Sequence, residues 1–192
     1  MPTPNPEAMA FLLSRRSRPA KTLTVPVPDR DALQPLLQAA ARTPDHGKLE
    51  PWRFIVLSGA AMDRLKTLVA ERGKALGKSD DDIAKAQTQF KPENLAVVVV
   101  ESPKPSEKIP QVEMTYSAGA VCLALVNAAL ASGWGANWLS GWHSHDRIFC
   151  RDGFGLTDGE RVAGIIHIGT ETSTPPERPR PDLHAITTWM ST

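Results

Sequence analysis

Six consecutive apolar residues, Leu95-Ala96-Val97-Val98-Val99-Val100, constrain this chain more than any other segment. The run lacks polar alternation and is rich in valine, so it is expected to be a strand buried on both faces. Such a strand needs cover on two sides. Helical patterns elsewhere in the chain supply it, and the longest is expected over about Val112 to Ala131. That helix is apolar on most sides, so it must be enclosed by its own domain or by a partner subunit. Its small residues Ala118, Gly119 and Ala120 would let another backbone approach closely.

The remaining elements follow from caps, breakers and spacing. Asn5, Pro6 and Glu7 start a helix that runs to about Arg15. Pro19, Pro26 and Pro28 keep residues 18–28 from being regular. A second helix starts near Asp29 or Asp31, is interrupted early by Pro35, and stops at Thr43-Pro44. Trp52 to Leu57 reads as a strand and Ala60 to Arg72 as a helix. Ser79 and the three aspartates after it start another helix, reaching about Gln89. Gly133 ends the long helix. Strands are expected at Ala136–Leu139 and Val162–Ile168, with a short helix near Ser144 to Arg151 between them. Thr170 to Pro181 is a proline-rich arm ending in Leu183 to Trp189. Its Ile186, Trp189 and Met190 call for burial, and a second copy of the chain is the expected place. The sum is an α+β fold: helices around a four-stranded sheet, in one domain over residues 1–192.

Composition narrows the function. The net charge of +1 gives no reason to expect nucleic acid or an anionic membrane as partner. Cys122 and Cys150 are too few for a disulfide framework, which favours a reducing, cytoplasmic location. No signal peptide is visible, and the most apolar stretch, Ala118 to Ala131, falls short of the roughly 20 residues a membrane span needs.

Several groups carry chemistry. Arg15, Arg16 and Ser17 offer guanidinium forks and a hydroxyl suited to phosphate oxygens. The same arginines would equally complement the negative end of the first helix. Arg178 and Arg180 on the arm either join the same anion or stay solvated. In the loop Arg42-Thr43-Pro44-Asp45-His46, His46 reads as a metal ligand, a general acid, a donor to a ring carbonyl, or a solvated residue. His143-Ser144-His145-Asp146 looks like a metal pair, but a helix start capped at Ser144 explains it more simply, and no metal is expected. Trp134, Trp138 and Trp142 recur among glycines, a pattern that suits a flat aromatic ligand, a subunit interface or a core. No P-loop, no complete dinucleotide-binding glycine pattern and no nucleophile beside a base is present, so an enzyme of this sequence needs a cofactor to carry the reaction.

In order along the chain, Arg15-Arg16-Ser17, Arg42 to His46, Pro51-Trp52-Arg53-Phe54, the small-residue helix from Ser117, Gly133-Trp134-Gly135, Trp138 to Gly141 and Ile165 to Gly169 resemble the nitroreductase superfamily. The resemblance is to its small single-domain, YdjA-like NAD(P)H nitroreductase branch. It implies a nitroreductase-like fold with a mixed or antiparallel central sheet flanked by helices. It also implies a homodimer with FMN at the interface and the C-terminal arm laid on the partner. By the same resemblance FMN is held by Arg15, Arg16, Ser17, Arg42, His46, Trp138, Leu139 and Ser140. A nicotinamide-contacting stretch falls near Ala128 to Gly133. NADH or NADPH delivers hydride to flavin N5, and a nitroaromatic, quinone or similar electron-poor acceptor takes it by a ping-pong route. The flavin, not a side chain, carries the catalysis. Two departures stand out: Leu139 replaces a frequent basic side chain, and Glu171 brings an acid close to the site. The competing readings are a flavin- or small-ligand-binding homodimer with little turnover, and a metal-assisted hydrolase using His143 and His145.

Overall fold

The computed structural model describes residues 3–191. The expected central strand forms as β3 (Leu95–Glu101), and all seven of its residues are buried. Successive strand side chains point to opposite faces, and β3 feeds two cores in this way. Ala96, Val98 and Val100 point into one core with Met62, Leu65, Phe90 and Phe149. Leu95, Val97 and Val99 point into the other with Leu33, Leu36, Val121 and Leu125.

Helices cover each face. The first core lies under α3 (Ala60–Ala75), α4 (Asp80–Gln87) and α6 (Arg147–Phe154). The second lies under α2 (Arg30–Ala40) and α5 (Gln111–Ala131). Asn5 caps α1 (Pro6–Ser14), Asp29 caps α2 and Ser79 caps α4, each accepting from a backbone N–H three residues on. Helix α2 continues through Pro35. Burial of Leu33, Leu36 and Ala40 along one side outweighs the missing hydrogen bond. Helix α5 is longer than its apolar stretch suggests: 21 residues, enough by length and composition to cross a membrane. Met114, Ala118, Val121, Cys122, Leu125 and Ala129 nevertheless recur at helical spacing against the sheet, the pattern of a core helix. It closes at Gly133 (φ 84°), with Trp134 N–H bonded to Ala129 O and Gly133 N–H to Leu130 O.

The sheet corrects the sequence reading in its strand count. It has five strands, and every pairing among the described residues is antiparallel, one of the two arrangements the resemblance implies. The extra strand, β1 (Leu23–Thr24), sits between prolines where no regular structure was expected. It is only two residues long and fits the proline-free gap before Pro26. The central path runs β1, β5 (Arg161–Glu171), β3, β2 (Trp52–Leu57), with β4 (Gly135–Leu139) also paired to β5. A bulge sets Val99 opposite Gly164 and Val100 opposite Val162, leaving Ala163 extra on β5. The bulge resets the alternation, so Val162 and Ile165 both reach the first core.

Candidate active site

The first cluster grows from the end of α1. Arg15 caps that helix with extended backbone (φ −56°, ψ 140°), donating its N–H to Phe11 O. Arg18 N–H then donates to Ala136 O at 2.8 Å, which fastens residues 15–18 beside β4. Arg15 donates to Ser17 Oγ at 3.1 Å, and Arg16 to the carbonyl of Pro176 on the C-terminal arm at 3.0 Å. The arm is held there by Thr172, whose N–H and hydroxyl both bond Thr22 O at 2.9 Å. Arg180, itself 2.6 Å from Glu177 Oε1, completes the group. Burial, with the positive charges of Arg180 and Arg16 next, holds the Arg15 guanidinium below its ordinary value. The Nε atoms of Arg15 and Arg16 are buried without a hydrogen-bond partner. Three like charges converge there and two of their donors are unused. This is the chemistry of a site for a dense anion such as a phosphate. Arg178 forms no ion pair among the described residues, so Arg180 is the arm arginine that the fold brings to the cluster. The acid at Glu171 pairs with Arg18, so it does not stand as a free negative charge.

The second group is the loop after α2. Its Thr43-Pro44 break is followed by a single turn, His46–Lys48, with Gly47 at φ 74°. A Cβ on Gly47 would lie 2.5 Å from Ile109 Cδ1, so space and backbone both favour glycine. Lys48 (φ 54°) and Glu50 (φ 48°) also occupy the left-handed region. Such backbone strain clusters at functional sites. Asp45 does not face His46 as a partner; its Oδ2 accepts from Glu50 N–H at 2.9 Å. Trp52 Nε1 donates to Ser117 Oγ at 3.1 Å, and that hydroxyl donates to Pro44 O at 3.0 Å. The indole of the Pro-Trp pair thus pins the loop to α5. His46 Nδ1 lies 2.7 Å from Glu113 Oε2. His46, Glu113, Tyr116, Ser117 and Ala120 line a groove of about 470 Å³. Arg42 does not line this groove; it is exposed, with no side-chain hydrogen bond or ion pair among the described residues.

The third group is β4 and the turn after it. Trp138, 41% exposed, lays its indole over Gly164, where a Cβ would collide with the ring, and 3.9 Å from a Cβ placed on Gly119. It forms one wall of a groove of about 440 Å³ that Gly119, Glu101, Arg147, Arg161 and Ala163 also line. The small residues of α5 therefore face parts of this chain: Gly119 lies beside the Trp138 ring, Ala118 is core, and Ala120 lines the His46 groove. Leu139 is half-buried; Ser140 is exposed at the rim of a cleft of about 210 Å³ shared with Gln89, Gly141 and Trp142. Trp134 and Trp142 pack on the two cores, so only one of the three tryptophans offers an open face. Ala128 to Leu130 also face the core, so the expected nicotinamide stretch presents little beyond Ala131, Ser132 and Gly133.

No hydrogen bond or ion pair among the described residues joins the 15–18 cluster to the His46 loop. His143 and His145 do not form a metal pair. The His143 ring is fully buried, edge-on to Phe90, Trp142 and Phe149, and burial holds it down at about 4. Asp146, not Ser144, caps α6, accepting from Phe149 N–H at 2.7 Å while Arg72 grips its carboxylate with two bonds of 2.9 Å. No cluster of three or more potential metal ligands occurs among the described residues. Sequence reasoning missed Glu113 and Ser117; their only signal was spacing along α5, one turn apart on the side that meets the loop.

An antiparallel sheet with helices on both faces, an arginine cluster suited to an anion and an open indole beside a groove make up the candidate site. The nitroreductase family model matches residues 12–170, and the chain belongs to that family. It is 32% identical over 164 residues to the putative NAD(P)H nitroreductase YdjA of Escherichia coli K12, covering 85% of this chain and 88% of that one. A putative NAD(P)H nitroreductase of Haemophilus influenzae is 32% identical over 166 residues, with the same coverage. Among solved structures, a nitroreductase-like family protein from Bacillus cereus superposes with a TM-score of 0.76 at 27% identity, covering 99% and 98% of the two chains. The FMN and NADPH-dependent nitroreductase NfnB from sphigopyxis sp. strain HMH shares the fold, with a TM-score of 0.70 at 19% identity over 96% and 99%.

Proposed function

We propose that residues 1–192 form an FMN-binding domain that works as a cytoplasmic homodimeric NAD(P)H oxidoreductase on nitroaromatic, quinone or similar electron-poor acceptors. The observation that carries this reading is the convergence of Arg15, Arg16 and Arg180 with two buried, unpartnered Nε atoms. A flavin that carries a phosphate satisfies both donors and offsets the like-charge repulsion; one without a phosphate does neither. Family membership and the names of the relatives support the NAD(P)H donor. The name of NfnB supports FMN as the flavin. When bound, the flavin supplies the chemistry, taking hydride from NAD(P)H and passing it to the acceptor in a ping-pong exchange.

The chain's own residues hold and shape. Arg15, Arg16 and Ser17 take the phosphate, with Arg180 closing from the arm. Trp138 offers a flat apolar face, with Leu139 and Ser140 after it, for the ring. His46 and Arg42 add polar groups from the loop. A second copy accounts for what one chain leaves open. Met9, Leu12 and Leu13 on α1, Val112, Tyr116 and Leu123 on α5, and Leu183, Ile186, Trp189 and Met190 on the arm are all exposed. Apolar surface of that extent marks an interface. Cys122 and Cys150 stay free and buried, in keeping with a reducing compartment.

Arg15→Ala or Arg16→Ala is expected to cost about 1.5–3 kcal/mol of flavin binding, roughly ten- to hundredfold in Kd. Fluorescence titration with FMN and riboflavin checks this: wild type discriminates strongly between the two and the variants do not. Equal affinity of wild type for both flavins would overturn the assignment. Bleaching of the yellow holoprotein by NADH or NADPH separates the oxidoreductase from a flavin-binding dimer without turnover.

A further inference from the structure

The His46 groove has few polar groups left to offer a ligand. The Ser117 hydroxyl is engaged by Trp52 and Pro44, and an Asp45 oxygen by Glu50 N–H. What remains is the Tyr116 hydroxyl, the second carboxylate oxygens of Asp45 and Glu113, which only accept, and His46 Nε2, since the other ring nitrogen lies 2.7 Å from Glu113 Oε2. An ionised carboxylate accepts hydrogen bonds and donates none. The contact with Glu113 therefore requires the proton on Nδ1. In the neutral ring this leaves Nε2 as a bare lone pair facing outward. The loop carrying His46 is itself fixed, by Gly47 packed on Ile109 and by the Trp52–Ser117–Pro44 chain, so the imidazole is carried at a set distance from Glu113.

We propose that Glu113 is a positioning residue that sets the His46 tautomer, so that Nε2 meets an N–H or O–H of the bound ligand as an acceptor. This replaces one sequence-based reading of His46, a donor to a ring carbonyl. It rests on the flavin reading above only for the ligand: the imide N–H and the ribityl hydroxyls are the flavin groups of matching chemistry. Glu113 touches no reacting atom and acts through the imidazole alone.

Two measurements decide it. Nitrogen-15 NMR of histidine-labelled, flavin-free protein at pH 8 is expected to show His46 protonated on Nδ1 and bare at Nε2. Glu113→Ala removes the acceptor; the ring relaxes toward the Nε2–H form, and the FMN dissociation constant rises about fivefold, the weight of one modest hydrogen bond. In Glu113→Gln the amide either accepts from Nδ1–H or donates to a bare Nδ1, so the tautomers are expected to mix and the FMN affinity to fall between those of wild type and Glu113→Ala. A proton on Nε2 in the wild type overturns the proposal, as does a Glu113→Ala variant that keeps the wild-type tautomer and FMN affinity. Failure of wild type to bind FMN would instead sink the flavin reading, because the tautomer measurement needs no flavin.

Discussion

At the scale of single residues, local chemistry was legible and distant partnership was not. The caps at Asn5, Asp29 and Ser79 could be read because cap and target lie three residues apart. Arg53 carried no such signal: its partner, Glu160, is 107 residues away and comes within 2.7 and 2.8 Å only once β2 and β5 flank β3. Its two bonds to Arg53, chiefly, hold the Glu160 carboxyl down at about 2. A depressed carboxylate contributes stability above its unfolded value, near 4.5, which is lost as pH falls through about 2. After allowance for solvent at the half-exposed arginine, that is about 2 kcal/mol. Arg53→Ala is expected to lower stability at pH 7 by about 3 kcal/mol, because a buried carboxylate loses its cation and keeps the Thr157 N–H, at 3.0 Å, in its place. In urea titrations it should also flatten the acid slope between about pH 4.5 and 2.

At the scale of elements, strands and helices declared themselves wherever burial sets the period. β2 falls on Trp52–Leu57 as read, and β3 and α5 each differ by a single residue at one end. The bulge at Ala163 was invisible, since an extra residue shows only against its partner strand. So was the division of labour it produces, with Gly164 bared beneath the Trp138 indole. Gly164→Ala places a methyl group where that ring lies and is expected to push Trp138 outward. Its fluorescence should shift to the red and FMN affinity should fall, while far-UV circular dichroism stays that of wild type. Unchanged emission would mean the indole does not rest on that glycine.

At the scale of the whole molecule, the first core carries two histidines that water does not reach. His143 and His167 are both buried, and burial holds each down at about 4. The unfolded chain binds protons near 6.5, so it gains them before the native state does. The histidines' contribution is complete above about pH 6.5 and is lost as pH falls through about 4. At pH 5 the loss is about 2 kcal/mol per histidine. His143→Phe, whose ring suits the cage of Phe90, Trp142 and Phe149, is expected to shrink the drop in urea midpoint between pH 7 and pH 5. The sequence marked His143, with His145, as a metal question, and only packing shows His143 and His167 to be a proton question.

Because Thr172 and Arg16 tether the tail before its greasy end begins, that tail divides into two stretches with separate duties. Trimming the chain after Asp182 would spare the arginine cluster and strip off only the exposed apolar tip. Such a shortened protein gives the designer a test of the proposed dimer that leaves the anion site whole.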